Sequence, residues 1–281
     1  MSNYGIPYQG SKGLIADWLI EQLPAGERFC DLFGGGFAMS HCALLSGKYD
    51  RVLYNDIQPL LVELIKKALC GYYSYENFTP EWISREDFIA RKEQDGYVKY
   101  IWSFGNTGNN YLFGKDIEEI KRLGHNYAVF GQSFLGLPVI GNTVTERRLN
   151  LKKLVREMKN ERFDLQQLER LERLEQLELT CDTYLNYQHR EGDVVYCDIP
   201  YEDTVGYADP FNHKQFYDWA DSRDYAVYFS SYDIKDTRFE PIWEGYKQST
   251  MASGGENKNQ VMAHECLYRN KAKEHNPYRL F

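Results

Sequence analysis

The run Val194-Val195-Tyr196-Cys197-Asp198-Ile199-Pro200-Tyr201 closes an apolar strand with a carboxylate, then adds a proline and an aromatic ring. An acid, a backbone carbonyl and a stacking ring at one strand tip suit the methylation of a planar exocyclic amine. Such a nitrogen is a poor nucleophile, because its lone pair is delocalised into the attached ring. Asp198 would accept one N–H and the carbonyl of Ile199 the other, drawing the nitrogen toward a tetrahedral arrangement. What remains is positioning and electrostatics, with no covalent enzyme intermediate. Tyr201 would stack on the base, a contact worth about 1–3 kcal/mol, and a base inside a duplex must first be flipped out. A plain strand running into a turn accounts for the same letters, so the rest of the chain has to discriminate.

The methyl donor needs a site of its own, and two stretches offer one. In DLFGGGF (31–37) a strand meets three glycines and then a helix. Glycine lets the backbone approach a ligand closely, and a helix start offers unpaired N–H groups. Neither GxGxxG nor GxxxxGK[ST] is present, so this is not a familiar phosphate loop. With Asp31 in front, it suits the cationic, amino-acid-like end of a ligand. Asp56 ends the next strand, where α/β folds hold the two hydroxyls of an adenosine ribose. Each feature alone also reads as a tight turn or a solvated strand end. Together they favour S-adenosylmethionine, a nucleoside without a pyrophosphate. PYQGSKG (7–13) adds Lys12, a compact charge for a carboxylate or a base edge; Ser11 in the same turn reads equally as a helix cap.

These residues need elements to hold them. LIADWLIEQL (14–23) has helical spacing with Pro24 behind it, and RFCDLF (28–33) reads as a strand. FAMSHCALLSG (37–47) is helical with Gly47 as its C-cap; RVLYND (51–56) is a second strand and QPLLVELIKKALC (58–70) its helix. Strand alternating with helix predicts a parallel sheet covered on both faces, with ligands at the carboxyl ends of its strands. From about 72 to 160 the alternation stops, which predicts an insert. LQQLERLERLEQL (165–177) repeats leucine every third residue, a stripe that drifts around an α-helix, so a helix anchored at a few leucines is expected. Strands resume at 177–184, 193–198 and 225–232, with a helix at 213–222. The segment 261–270 is expected to be one strand of a closing hairpin behind the loop 254–259.

The totals narrow the class. A chain of 281 residues, 43% hydrophobic and 26% charged, can bury a sizeable core, and 23 tyrosines favour stacking combined with hydrogen bonding. A net charge of −8 argues against a wholesale electrostatic nucleic-acid binder, though not against a local basic patch. Cysteines 30, 42, 70, 181, 197 and 266 include no CxxC pair and read as reduced thiols of a cytosolic protein. No run nears 18 apolar residues, the first residues lack a signal-peptide core, and the six histidines show no metal-ligand spacing. The expectation is a cytoplasmic protein with no membrane partner and no metal.

PYQGSK, CDLFGGGF, YNDIQPLL and VVYCDIPY, in that order, resemble the D12-class, Dam-like N6-adenine-specific DNA methyltransferases in their α arrangement. The resemblance is closest to the phage and prophage branch, whose members carry a stretch similar to SFGNTGNNYLFGKDIE (103–118). It implies an α/β fold: a Rossmann-like S-adenosylmethionine-dependent methyltransferase sheet with helices on both faces and an inserted, mainly helical target-recognition domain. On that pattern 1–71 and 166–281 form the catalytic domain and 72–165 the insert. Tyr8 and Lys12 correspond to the N-terminal cofactor cradle, with Lys12 also reaching toward the base. Asp31, Phe33, Gly34 and Gly36 correspond to the holder of the methionine end, and Asp56 to the ribose acid. Asp198, Ile199, Pro200 and Tyr201 match the catalytic tetrad, with Asp198 also facing the cofactor.

The departure is Ile199, where the common tetrad has proline. Isoleucine supplies the same carbonyl without the fixed φ, and Pro200 still biases residue 199 toward an extended conformation. The implied reaction is transfer of a methyl group to N6 of a flipped adenine in double-stranded DNA, in a bacterial host cytoplasm, with a cognate restriction endonuclease as a possible companion. Local charge must then hold the DNA. TERRLNLKKLVREMK (145–159) carries six Lys/Arg against two Glu. Arg147, Arg148 and Lys152, together with Asn106, Asn109 and Asn110 and the loop 252–260, are the candidate contacts. Within the enzyme class the rivals are cytosine N4, an RNA base or a glutamine side chain; outside it, a DNA-binding relative that has lost turnover.

Overall fold

The computed structural model describes residues 4–74, 76–155, 165, 168, 171, 173–202, 211–248 and 262–271. The glycine loop and the strand tip at 198–201 are carried by a seven-stranded sheet. Its strands are β1 (Gly26–Asp31), β2 (Tyr49–Asn55), β3 (Leu177–Thr180), β4 (Asp193–Cys197), β5 (Val227–Ser231), β6 (Phe239–Gln248) and β7 (Met262–Asn270). Their spatial order is β3-β2-β1-β4-β5-β7-β6. The first five run parallel, and β7 pairs antiparallel with both β5 and β6. Every residue of β4 and β5 is buried, as strands covered on both faces require, which explains their near-continuous apolar runs. The expected closing hairpin is present; its first strand, β6, carries Pro241 and a register shift between Pro241 and Trp243, which hid it from an alternation search. The loop 252–260 lies outside the described residues.

The helices follow local signals. α1 (Ala16–Gln22) buries Ala16, Leu19 and Ile20 and stops before Pro24. Ser11 is not its cap: the Ser11 hydroxyl accepts the Gly13 N–H at 3.3 Å instead. α2 (Ala38–Ser46) ends on Gly47 at φ 65°, in the left-handed region a C-cap glycine favours. α3 (Pro59–Leu69) opens on a proline, whose missing N–H is one no helix start uses, and closes with Lys66 and Lys67 against its carbonyl end.

Two compact units divide the chain, one comprising 1–5, 11–62 and 172–281, the other 6–10 and 63–171. The first holds the sheet, α1, α2 and α7 (His213–Asp221). The second contains α4 (Arg85–Arg91), α5 (Glu118–Phe130) and α6 (Val144–Leu154), with no strand among its described residues. Its α4 and α6 start in capping boxes, Ser84 with Asp87 and Thr143 with Glu146. Its interior is aromatic: Trp82 stacks on Phe113, and Tyr127, Phe134 and Leu151 form a separate core beneath α5 and α6.

Of the leucine stretch 165–177, residues 166, 167, 169, 170 and 172 lie outside the described residues. Leu165, Leu168 and Leu171 are all buried, and the Leu168 and Leu171 N–H groups donate to the carbonyls three residues earlier, at 3.3 and 3.2 Å. Leu174–Gln176 is a 3₁₀ turn, and Leu177 opens β3.

Candidate active site

The sheet order reverses between β1 and β4, the place where α/β sheets open a crevice beyond their carboxyl ends. Register brings the two strand tips together. Asp31 pairs with Tyr196, so Asp198 projects just beyond it, while Cys197 pairs with Phe229 on the other side. Ser230 on β5 then donates to Asp198 Oδ1 at 2.9 Å, and its hydroxyl also bonds Tyr196 at 2.8 Å.

Lys12 meets the tip from the N-terminal segment. Its ammonium lies 2.6 Å from Asp198 Oδ1, 3.4 Å from Glu265 Oε1 and 4.7 Å from the centre of the Tyr201 ring. Burial pulls the ammonium pKa down, but Asp198 and Glu265 outweigh it and hold Lys12 protonated. Asp198 keeps 21% of its side-chain surface exposed. Burial pushes its pKa up, while Lys12 and Ser230 work in the opposite direction. Both contacts go to Oδ1. Tyr201 donates its hydroxyl to Glu265 and packs edge-on against Tyr232.

Ile199 is 1% exposed and sits in a cluster with Cys30, Leu32 and Phe216. The Pro200 carbonyl is held by His213 at 2.7 Å. Packing on one side and a hydrogen bond on the other thus supply rigidity that a proline ring would otherwise give.

Asp31 is the second acid of the site. Its Oδ2 accepts from Ser40 at 2.7 Å, while Oδ1 is buried with no partner among the described residues. Burial raises its pKa to about 7; Ser40 opposes this, and the neighbouring Asp198 and Asp56 add to it. Asp56 accepts the N–H of Gly35 and of Gln58, both at 2.9 Å. Burial raises its pKa, and these backbone donors work against the rise. Phe33 packs on Tyr184, Phe211 and Phe216. The triple glycine has a packing reason as well as room for a ligand. A Cβ on Gly34 would lie 2.1 Å from the Tyr54 ring, whose hydroxyl bonds the Gly35 carbonyl at 2.9 Å. Gly36 offers its carbonyl at the place where a Cβ on Gly5 would fall, 2.2 Å away.

A family model for the D12 class N6 adenine-specific DNA methyltransferase matches residues 8–236. The chain belongs to that family. No individual curated protein matches it. The family is that of S-adenosylmethionine-dependent enzymes methylating adenine N6 in DNA, and this chain is a methyltransferase of that kind. The residues fit the donor. An orphaned buried oxygen on Asp31 can accept from an ammonium, and the half-buried Asp198 and the buried Glu265 share one lysine, a surplus of acid that favours a cationic ligand.

Other D12 candidate residues lie in the second unit. Tyr8 is half-buried and packs on Tyr100. Asn106 donates to the Tyr100 carbonyl at 2.9 Å, whereas Asn109 and Asn110 are exposed, with Phe104 beside them 69% exposed. The Arg147 guanidinium donates to the Ala128, Val129 and Asn142 carbonyls at 2.7–3.1 Å, closing the end of α5. Arg148 and Lys152 are half-buried on α6.

Glu265, Ser230 and Ser40 carry no motif, and sequence reasoning missed them. Ser230 and Glu265 reach the site through strand pairing, and Ser40 comes from the first turn of α2. Pairing also gathers His264 and Cys266 with Asp233, a histidine grouping that spacing along the chain hid. The His264 ring nitrogens lie 2.9 Å from Asp233 and 3.4 Å from Glu244. Among the described residues no helix is long and apolar enough to cross a membrane.

Proposed function

We propose that Asp198, the Ile199 carbonyl and the Tyr201 ring perform the N6 methylation, that Asp31 and Asp56 hold the donor, and that 72–165 selects the DNA target. The observation that carries this is the Asp198 carboxylate at the tip of β4, held through Oδ1 by Lys12 and Ser230 beside the Tyr201 ring. Oδ2 accepts one N–H of the flipped adenine, and the Ile199 carbonyl accepts the other. Both draw electron density back onto N6. S-adenosylmethionine, when bound, supplies an electrophilic methyl group on a sulfonium. Asp31 Oδ1 binds its ammonium. Asp56 retains lone pairs for ribose hydroxyls beyond its two backbone bonds. Tyr201 stacks on the extruded base, and the proton leaving N6 passes to Asp198 or to water.

Exposed Asn109 and Asn110, with Arg148 and Lys152, support a DNA-facing role for the insert. The stretch 103–118 favours a phage-type origin, and with it a bacterial cytoplasm and a companion endonuclease reading the same site. The test is methyl transfer from radiolabelled S-adenosylmethionine to unmethylated DNA, followed by nucleoside analysis. Label in N6-methyladenine is expected. Label in N4-methylcytosine would overturn the base assignment, and absence of label with the cofactor bound would point to a silent DNA-binding relative.

A further inference from the structure

Glu265 lies outside every motif, yet its carboxylate sits in the middle of the catalytic cluster. It is 2% exposed, and an acid so buried needs partners. It has two, and both belong to the machinery. The Tyr201 hydroxyl donates to Oε1, and the Lys12 ammonium lies 3.4 Å from the same atom. That ammonium is also 2.6 Å from Asp198 Oδ1. One carboxylate on β7 therefore touches both the ring that would stack on the base and the cation that also pairs with Asp198.

We propose that Glu265 is a positioning residue for methyl transfer: it fixes the Tyr201 ring through its hydroxyl and shares the Lys12 ammonium, so that Asp198 keeps the strength of an acceptor. This rests on the reading of Asp198 and Tyr201 as the catalytic tip. The physical reason is twofold. A tyrosine ring held only by packing can turn about its side-chain torsions, whereas a hydroxyl tied to a buried carboxylate cannot leave without stranding both groups. An ammonium with two carboxylates to serve neutralises neither fully. Remove one, and it settles on Asp198, weakening that group toward the poorly acidic N–H of an adenine amine. Glu265 also arrives by register: Ser231 pairs with Cys266, which places residue 265 level with the end of β5.

The experiment compares wild type, Glu265→Gln, Tyr201→Phe and the double variant for kcat, for cofactor affinity by calorimetry and for DNA affinity. Glu265→Gln is expected to lower kcat about tenfold, equivalent to about 1.4 kcal/mol, with both affinities within about twofold of wild type. Tyr201→Phe removes the same hydrogen bond, so the double variant should lose much less than the product of the two single losses. Full kcat in Glu265→Gln, multiplicative losses, or a loss confined to cofactor affinity would each overturn the proposal. If wild type makes no N6-methyladenine, the catalytic reading itself fails, and Glu265 is decided by ¹³Cε-lysine NMR. The Lys12 signal should titrate at lower pH in Glu265→Gln than in wild type, and an unchanged titration would overturn the role.

Discussion

The two compact units handle charge in opposite ways. In the sheet unit, Lys12, Asp31 and Glu265 are buried and Asp198 is mostly covered, and Arg28 grips Asp193 bidentately at 2.7 and 2.9 Å. In the second unit most ion pairs are solvated. Arg91 with Glu81 and Arg122 with Glu119 are exposed contacts at 2.7 Å, the kind that contribute little to stability. The second unit holds itself together instead by aromatic packing, capping boxes and the Arg147 clamp on α5. Buried charge is costly and persists where it has work to do, whereas exposed charge stays free for a partner that is itself charged.

The sharpest way to break this contrast is Asp198→Ala. Turnover should fall by at least about 10²–10³-fold, the scale for removing a group aimed at the reacting atoms, with DNA binding retained. Gel-shift and methyl-transfer assays on the same preparation check both halves. An Asp198→Ala protein that still methylates would end the assignment.

Asp31 comes next, because its protonation is set by burial. Its carboxyl titrates near 7 in the folded protein, above an ordinary aspartate. The folded state therefore binds the proton more tightly than the unfolded chain, so this group's contribution to stability falls as pH rises from about 4 to about 7. Binding an ammonium needs the ionised form, so cofactor affinity should climb through the same window and level off above it. Asp31→Asn should flatten both slopes, raise the stability of the unliganded protein above pH 7 and weaken cofactor binding roughly tenfold, a charged hydrogen bond's worth. Calorimetry and thermal melts across pH 5–9 measure it.

In the second unit the expected effects change kind. Arg147→Ala should cost about 1–3 kcal/mol of stability through three lost carbonyl bonds, seen as a lower Tm, with kcat per folded molecule unchanged. Lys152→Ala should do less still: a small loss of DNA affinity, uniform across sequences, with the salt dependence reduced by about one unit of slope. A Lys152→Ala protein with wild-type salt dependence would take α6 out of the DNA-facing surface.

Much of this was legible in the letters. The strand-glycine-helix run at 31–37, the acid at 56 and the tip at 198–201 depend on neighbours along the chain, so their types and spacing announce them. Gly47 as a C-cap and Pro59 at a helix start are likewise local, set by φ and a missing N–H.

The sequence by itself determined which chemistry is on offer, since an acid, a carbonyl and a ring at one strand end are contiguous. Only the tertiary structure decided what surrounds them. Glu265 stands 67 residues from Asp198 along the chain, Ser230 is on another strand, and Asp31 becomes a strained neighbour of Asp198 through the β1–β4 register. Burial and strand pairing act through space, so the groups that tune the acids carry no mark in the stretch that contains them.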